Sequence, residues 1–321
     1  MSSVATNPSG TGREYAASNN ARCATNQTLS QTATAEKSWF AVYADLFKAR
    51  LTFLVLLTTL VGFYVGYPGP VDYLLMLQTL LGTAFVAGGA AALNQLWEWK
   101  YDARMRRTAD RPLPSGRLQP QTVLVVGVVS AALGLTYLAL AVNLLTSVLG
   151  VLSLLGYLCI YTPLKRMTWL NTVVGAISGA IPPLMGWTAA RGELTREGMS
   201  LFAILAFWQL PHFMAIAWIY RDDYAQAGFR MLPVLDPQGV RTSRQAIGFT
   251  LGLLPVSLGP FVYGLAGPIY LVSALVLGLI FIWYAIRFSQ HVTDRGARQL
   301  FYVSILYLPS LLGVMVLDKV K

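Results

Sequence analysis

Residues 74–93 read LLMLQTLLGTAFVAGGAAAL, and the chain then continues as Asn94-Gln-Leu-Trp-Glu98-Trp-Lys-Tyr-Asp102. The first segment carries no charge and is long enough for a helix to cross a hydrocarbon core of roughly 30 Å. Asn94, Glu98 and Asp102 are spaced four residues apart, so they share one face if the helix continues. Because ionisable side chains are expensive at membrane depth, this cluster at the end of an apolar run predicts a functional site.

Composition excludes an ordinary soluble domain. Of the 321 residues, 55% are hydrophobic and only 12% are charged, and the mean hydropathy is +0.54. The apolar runs are about 20 residues long, whereas the strands of a membrane barrel would alternate over about ten residues. We therefore predict an all-α, polytopic membrane protein with nine transmembrane helices around a central cavity. The predicted spans are 51–67, 73–95, 121–142, 145–162, 171–189, 199–219, 246–265, 267–287 and 299–317.

The formal charge of +10 is distributed unevenly between the two predicted sides of the membrane. The loops near 68–72, 143, 190–198 and 266 contain only two basic residues, Arg191 and Arg196. The opposite side carries Lys48, Arg50, the 100–117 cluster, Lys165, Arg166, Arg221, Arg230, Arg241, Arg244, Arg287, Arg295 and Arg298. This asymmetry predicts a cytoplasmic amino terminus and attributes most of the charge to membrane orientation, not to nucleic acid binding. We predict a bacterial plasma (inner) membrane location, with the mitochondrial inner membrane as the alternative.

The first 38 residues are rich in Ser, Thr, Asn, Ala and Gln, which predicts a disordered polar tail before a transmembrane domain at 39–321. They lack the apolar stretch of a secretory signal. With Glu14, Glu36 and only three basic residues, they are also a poor match to an organellar transit peptide. The two cysteines, Cys23 and Cys159, give neither a disulfide framework nor a metal-ligand spacing.

Two long polar loops, 96–120 and 220–245, follow even-numbered spans on the same predicted side, which suggests a weak internal duplication. The first contains Glu98 and Asp102, and the second contains Asp222 and Asp223. Two acidic clusters that face one cavity could hold Mg²⁺ on a diphosphate, because Mg²⁺ prefers hard oxygen ligands. Arginine and lysine side chains near these acids are suited to the phosphate oxygens. The candidates for this role are Arg104, Arg106, Arg107, Arg111, Lys165 and Arg166.

A diphosphate leaving group on an allylic chain would leave a carbocation, which aromatic faces attract. Several aromatic residues could line the cavity for this purpose, although each could instead pack between helices or lie at the membrane interface. They are Trp97, Trp99, Tyr161, Phe207, Trp208, Phe213 and Trp218.

His212, next to Pro211 inside an apolar run, is either a core histidine or a cavity-facing residue, and imidazole is a common haem ligand. Motifs of hydrolases, kinases and dehydrogenases are missing from the sequence.

Taken together, the three polar motifs resemble those of the protoheme IX farnesyltransferases (haem O synthases), within the intramembrane aromatic prenyltransferase superfamily. The likeness covers roughly 45 to 318. It is carried by Asn94-x3-Glu98-x3-Asp102-Ala-x-Met105-x-Arg107-Thr108-x2-Arg111-Pro112, Tyr161-Thr-Pro-Leu-Lys165-Arg166, Trp208-Gln-x-Pro211-His212-Phe213 and Asp222-Asp223-Tyr224-x2-Ala227-Gly228-x2-Met231-Leu232-Pro233. Glu98 in the middle position of the first motif matches the haem branch. In the wider superfamily the second motif has acids four residues apart, and here Gln226 and Ala227 stand at those positions.

This resemblance implies a nine-helix fold with a cavity open to the bilayer. It implies transfer of farnesyl from farnesyl diphosphate to a vinyl group of haem B, with water addition, to give haem O and diphosphate. Asn94, Glu98, Asp102, Asp222 and Asp223 would be the catalytic, Mg²⁺-binding residues. The diphosphate would be bound by Arg107, Arg111, Lys165 and Arg166, and haem would contact His212. Haem A synthase or oxidase assembly factors are candidate partners.

Two alternatives remain at this point. A related membrane prenyltransferase could act on a quinone precursor or chlorophyllide, although the Pro211-His212-Phe213 and Met231-Leu232-Pro233 block favours the haem branch. A transporter would also fit paired repeats and intramembrane polar residues. Acidic motifs gathered near one membrane face argue against the transporter.

Overall fold

The computed structural model describes residues 37–320, and within this range nine helices are long and apolar enough to cross a membrane. We number them α1 to α9. Their bounds are Ala49–Gly66, Tyr73–Asp102, Pro120–Ala141, Leu144–Met167, Asn171–Arg191, Arg196–Ile219, Val240–Val262, Pro268–Gln290 and Asp294–Leu317. The predicted all-α, nine-helix architecture is confirmed, and the chain is a multi-span membrane protein.

The chain divides into two compact units, Met1–Val42 and Tyr43–Lys321. In the smaller unit the described residues are 37–42, which include the exposed side chains of Trp39 and Phe40 at the start of the short helix Trp39–Leu46. The predicted polar tail at 1–38 lies outside the described residues, apart from its last two positions.

Four of the spanning helices, α2, α4, α7 and α9, extend five or more residues beyond a predicted end. Helix α2 continues to Asp102 instead of ending at 95, and α9 begins at Asp294 instead of 299. At the start of α9, the Thr293 hydroxyl accepts a hydrogen bond from the Gly296 N–H at 3.1 Å and caps the helix. A hydropathy pattern locates only the apolar part of a helix, whereas polar residues can continue the same backbone beyond it. As a result, the acidic motif of α2 is fully helical.

Helices α2 and α3 pack with their backbones in close approach. A Cβ atom placed on Gly89 would lie 2.7 Å from the Ala131 backbone nitrogen, and one on Gly134 would lie 2.7 Å from that of Val86. Small residues at such an interface allow two membrane helices to come closer than side chains would permit. This contact holds the acid-bearing helix α2 against α3 along its apolar length.

Two spanning helices are interrupted. Helix α4 contains a π-helical segment, Gly156–Tyr161, at whose end the Thr162 N–H donates to the carbonyl of Tyr157, five residues earlier. Helix α5 consists of two pieces, Asn171–Gly179 and Ile181–Arg191. Short π segments inside α-helices are frequent at functional sites, and the second piece of α5 starts with two prolines that limit helical hydrogen bonding.

The second half of the molecule is a bundle of α6 to α9, with buried aromatic side chains such as Phe281, Phe288 and Tyr307 in its core. After α6 the chain forms two short helices, Arg221–Gln226 and Leu232–Leu235. Between them, the Arg230 N–H donates to the Lys165 carbonyl at 2.7 Å. This bond fixes the second polar loop to the end of α4, beside the end of α2.

Candidate active site

A cavity of about 350 Å³ lies among α1, α2, α4, α5 and α6. Its inner wall is mostly apolar and includes Val55, Val86 and Met185. Its other end is lined by polar and charged side chains from the residue before α1, from α2 and α4, and from the loop after α2; we call this the polar end. The residues of the polar end are Lys48, Asn94, Glu98, Asp102, Arg107, Arg111 and Lys165. Six of the residues predicted for the site therefore share one chamber, and Lys48 joins them.

The α2 helix presents three oxygen-bearing side chains to this chamber. Asn94, Glu98 and Asp102 are 1%, 5% and 1% exposed. The Asn94 amide nitrogen donates to Glu98 Oε2 at 3.0 Å and to Thr162 Oγ1 at 3.1 Å. These two bonds orient the amide so that its oxygen is directed away from Glu98. Their common direction follows from the four-residue spacing, because a continuous helix places such residues on one face.

Each of the three oxygen groups accepts a hydrogen bond from one cationic side chain. Lys48 Nζ donates to Asn94 Oδ1 at 2.7 Å, Lys165 Nζ donates to both Glu98 oxygens at 2.9 and 3.0 Å, and an Arg111 nitrogen donates to Asp102 Oδ2 at 2.6 Å. Pairing of this kind is required for carboxylates that are buried in a low-dielectric interior. The polar end thus holds oxygen groups and cationic side chains in contact, and these cationic side chains line the cavity that an anion would enter.

Lys48 is the residue that sequence analysis missed. It precedes α1 with φ 48° and ψ 53°, the only positive φ of a non-glycine residue among residues 37–320. Its ammonium group also donates to the Tyr157 hydroxyl at 3.3 Å. Burial, and then the neighbouring charge of Arg111, lower the pKa of Lys48 to about 7. In the sequence it is one of many basic residues on the predicted cytoplasmic side, and nothing there separates it from the exposed Arg50.

Arg107 joins the two polar loops. Its guanidinium group donates to the Tyr224 hydroxyl at 3.1 Å and lies 4.7 Å from the centre of the Tyr220 ring. Arg166, in contrast, does not line the cavity, and its guanidinium group donates to the Tyr101 hydroxyl at 2.6 Å near the surface. Of the four predicted diphosphate ligands, Arg107, Arg111 and Lys165 are in the chamber and Arg166 is beside it.

The second acidic cluster lies outside the cavity. Asp222 and Asp223 are on the short helix Arg221–Gln226 and line a separate polar depression together with Arg106, Tyr220 and Gln226. Asp222 is exposed and Asp223 is half-buried. The structure therefore brings the first acidic motif into the chamber and leaves the second at its outer edge. The chain pattern showed that both lie near one end of the bundle, but not how the loop after α6 is folded.

His212 also lies away from the cavity lining, although Gln209 and Phe213 of the same helix belong to it. Its Nδ1 is 2.7 Å from the Ser304 hydroxyl of α9. Its ring stacks between Trp208 and Phe301, with centroid separations of 4.8 and 5.0 Å. The histidine therefore lies in an aromatic layer between α6 and α9.

The aromatic residues of the chamber differ in part from those considered in the sequence. Tyr161 and Phe213 line it, and so do Tyr157, Tyr224 and Phe229. Tyr157 and Tyr161 stack with their ring centres 5.7 Å apart. The remaining candidates, Trp97, Trp99, Phe207, Trp208 and Trp218, are absent from the lining. Ring faces therefore flank the polar end, where a developing carbocation would benefit from them.

The donor set on α2 fits Mg²⁺, because two carboxylates and an amide oxygen are hard ligands on one helical face. Among residues 37–320, no cluster of three or more His, Cys, Asp or Glu side chains could hold a metal by itself. Mg²⁺ commonly completes its coordination with waters and substrate phosphates, so an incomplete protein shell is the usual arrangement. If Asn94, Glu98 and Asp102 held Mg²⁺, Lys48, Lys165 and Arg111 would be the cationic side chains beside it that could contact phosphate.

Comparison with known proteins agrees with this geometry. Residues 55–308 match the UbiA prenyltransferase family. A relative named protoheme IX farnesyltransferase, from Solibacter usitatus, is 47% identical over 286 residues, which cover 86% of this chain and 98% of the relative.

Two solved structures share the fold. One, of a digeranylgeranylglyceryl phosphate synthase, has a TM-score of 0.74 at 15% identity and covers 87% of this chain and 98% of its own. The other, a UbiA homologue from Archaeoglobus fulgidus bound to GPP and Mg²⁺, has a TM-score of 0.62 at 16% identity and covers 85% and 99%. The extent of the family match and the identity to the Solibacter relative lead to one conclusion: the chain belongs to the UbiA prenyltransferase family.

Proposed function

We propose that this protein transfers the farnesyl group of farnesyl diphosphate to a vinyl group of haem B, with addition of water, to give haem O and diphosphate. The observation that carries the proposal is the polar end of the cavity, where α2 presents Asn94, Glu98 and Asp102 beside Lys165 and Arg111. The choice of farnesyl and haem within the family rests on the 47% identity to the Solibacter usitatus protein of that name.

In this proposal Asn94, Glu98 and Asp102 hold Mg²⁺ on the diphosphate. A bound Mg²⁺ supplies charge compensation for a leaving group that carries about three negative charges near pH 7. Lys165 and Arg111 then turn from their carboxylate partners to the phosphate oxygens, and Arg107 contacts them from the loop side. These cationic side chains would only exchange a carboxylate partner for a phosphate oxygen, because the carboxylates and the proposed diphosphate site share one cavity.

Asp222, Asp223 and Arg166 are proposed as outer contacts of the same diphosphate and its metal. Their side chains lie outside the cavity lining, so this role requires the Arg221–Gln226 helix to move towards the polar end when substrate binds. Arg107 is suited to couple such a movement, since it already contacts Tyr220 and Tyr224 on either side of the two aspartates.

The apolar wall of the cavity serves the isoprenoid chain and the acceptor. It keeps bulk water from the allylic cation, while the rings of Tyr157, Tyr161 and Phe213 provide faces that attract positive charge. His212 is proposed to contact the haem. In the described structure it contacts Ser304 of α9 behind the cavity wall, so a haem contact would require its side chain or the adjoining part of α6 to move.

The proposed location is a bacterial plasma (inner) membrane with a cytoplasmic amino terminus, with the mitochondrial inner membrane as the alternative. The excess of Lys and Arg on the side of the polar end supports this orientation. Haem O is the natural substrate of a haem A synthase, so such an enzyme or an oxidase assembly factor is a proposed partner.

Expression in a host without its own haem O activity, followed by haem extraction and mass analysis, tests the proposal. We expect haem O to appear with the wild-type chain only. Parallel incubation of the membranes with farnesyl diphosphate and 4-hydroxybenzoate separates the haem branch from quinone-precursor enzymes. Prenylated benzoate without haem O would overturn the choice of acceptor, and magnesium-independent transport without diphosphate release would favour the transporter.

A further inference from the structure

Gln209 is one of the polar residues of the cavity lining to which the proposed diphosphate site gives no role. Gln209 is 6% exposed and lines the chamber from α6, within an apolar run. Gln209 contacts Gly179, which lies one helical turn from Gly175 on α5. Gly175 in turn packs against the Tyr161 ring, which lies 4.5 Å from Lys165 Nζ of the polar end. Gln209 therefore lies on the apolar side of the polar end, which is where the proposed function places the reacting carbon of the allylic diphosphate.

The side-chain amide of Gln209 makes one hydrogen bond and has donor and acceptor capacity left. Its nitrogen donates to the Leu205 carbonyl at 3.3 Å, which uses one of two N–H groups. Its oxygen accepts no hydrogen bond from residues 37–320. A buried amide in an apolar environment is costly when its hydrogen bonds are not completed. An intramembrane polar side chain of this kind indicates a ligand.

The interruption of α5 lies directly opposite this amide. Pro182 and Pro183 have no N–H to give to the carbonyls of Ser178 and Gly179, four residues earlier in each case. Ser178 recovers a partner, because Ser153 Oγ donates to its carbonyl at 3.1 Å. The Gly179 carbonyl can receive a bond from neither residue 182 nor residue 183, since both are proline. Gly179 and Gln209 are in contact, and a Cβ atom on Gly179 would overlap Gln209 Oε1.

Non-helical backbone at membrane depth occurs where it is buried in protein or lines a water-filled cavity. Gly179 lines the chamber, so its freed carbonyl and the Gln209 amide form one polar patch on a mostly apolar wall. A bound water needs two to four polar partners. The patch supplies an amide oxygen, one amide N–H and a backbone carbonyl.

We propose that Gln209 and the Gly179 carbonyl bind the water molecule whose oxygen becomes the hydroxyl group of the product. The inference rests on the proposed function. The vinyl edge of haem B and the farnesyl chain carry no polar atom, so neither reacting part offers a hydrogen-bond partner to a polar group on the apolar side of the diphosphate. A neutral amide can hold water there without offering the carbocation a competing anionic nucleophile.

The step balances as follows. The bond between the farnesyl C1 and the diphosphate oxygen breaks, and its electron pair leaves with diphosphate. The terminal vinyl carbon gives its π pair to C1, which forms the new carbon–carbon bond and leaves the cation on the inner vinyl carbon. The water on the Gln209 patch gives a lone pair to this carbon, and its proton passes to the released diphosphate. Without a held water, the same cation would lose a proton and give an alkene.

The test is the product ratio of Gln209→Leu, which keeps the volume of the side chain and removes its hydrogen bonds. Purified protein is incubated with farnesyl diphosphate and haem B in ¹⁸O-labelled water, and the extracted haems are analysed by mass spectrometry. The wild type should carry ¹⁸O in the new hydroxyl group. In Gln209→Leu the ratio of dehydrated to hydroxylated product should rise roughly tenfold or more, the effect of one lost hydrogen bond. Gly179→Ala, which displaces the amide, should shift the ratio in the same direction.

Ser130→Ala is the matched control, since Ser130 on α3 donates to the Phe85 carbonyl away from the cavity. It should leave the product ratio unchanged. A Gln209→Leu variant that forms less product at an unaltered ratio would overturn the water site and assign Gln209 to packing. A wild type that forms no farnesylated haem at all would instead overturn the proposed function.

Discussion

At the scale of single residues, three oxygen groups of the polar end are each paired with a cation, whereas its fourth cation, Arg107, contacts Tyr220 and Tyr224. Removal of one partner leaves a buried charge without compensation, which is more damaging than removal of a surface charge. The residues of this cluster also have different origins in the chain. Asn94, Glu98 and Asp102 come from one helix, whereas Lys48, Lys165 and Arg111 come from three other segments.

Asp102→Asn should reduce turnover by more than about 100-fold, because it removes a proposed metal ligand and the anionic partner of Arg111. The protein should still insert in the membrane. Asp110→Asn is a matched control, since Asp110 pairs with Arg117 on the exposed side of the same loop. Haem O formation by each variant is the measurement. Wild-type turnover in Asp102→Asn would remove the metal role from this side chain.

Lys48→Met should weaken farnesyl diphosphate binding by roughly 30-fold, because a half-buried amino group that lines the polar end of the cavity is lost. Arg50→Met, two residues further on and exposed, should leave the affinity unchanged. Titration calorimetry of both variants in lipid nanodiscs makes the comparison. Equal affinity in Lys48→Met and the wild type would assign Lys48 to support of the Asn94 amide alone.

The residues of α2 could be found in the sequence because the spacing of a helix is local and regular. Lys48 could not, since its partner Asn94 lies 46 positions further along the chain. The same reason applies to Gln209, whose importance depends on the proline-interrupted wall opposite it. Asp222 and Asp223 were recognised as a cluster, but their position at the outer edge depends on how the loop after α6 folds.

At the scale of secondary-structure elements, the interruptions of α4 and α5 shape the chamber. The π-helical segment Gly156–Tyr161 adds one residue to a turn of α4 and sets the rotation of the Thr162–Met167 segment that follows. That segment carries Thr162 and Lys165, which contact Asn94 and Glu98. Hydropathy predicted the span but could not show the π segment, because both helical forms have the same composition.

Deletion of Cys159 should convert the π segment into regular α-helix and rotate Lys165 away from Glu98. We expect normal membrane insertion and a loss of diphosphate affinity of roughly 100-fold, the size expected when a positioning group is misplaced. The point variant Cys159→Ala should bind normally, since this side chain is exposed. Binding of farnesyl diphosphate to the two proteins measures the difference. Unchanged affinity after the deletion would show that the π segment does not orient Lys165.

The close contact of α2 with α3 makes a separate prediction about stability. Gly89→Ala should destabilise the protein by about 1–3 kcal/mol and lower the melting temperature, because the new Cβ meets the backbone of Ala131. Gly248→Ala on α7 has open space around it and should be neutral or slightly stabilising. Thermal unfolding in detergent, followed by tryptophan fluorescence, compares the two. Equal melting temperatures would mean that α2 and α3 can accommodate the added methyl group without loss of stability.

At the scale of the whole molecule, five of the nine spanning helices found among residues 37–320 line a chamber that is charged at one end and apolar over most of its wall. The number of helices and their approximate positions follow from the apolar runs, and the all-α class follows from their length. Which helices form the chamber does not follow from the sequence, since α3, α7, α8 and α9 are as apolar as the five that line it. Which helices line the chamber depends on how segments that are distant in the sequence pack against one another.

The most direct test of the central claim is the release of diphosphate by the purified protein with farnesyl diphosphate and haem B, measured across a series of Mg²⁺ and EDTA concentrations. If the acids of α2 hold a diphosphate through Mg²⁺ at the head of an apolar chamber, diphosphate and farnesylated haem should form in equal amounts. Both should disappear in excess EDTA and return when Mg²⁺ is restored. Farnesylated haem formed at an undiminished rate in EDTA would contradict the account.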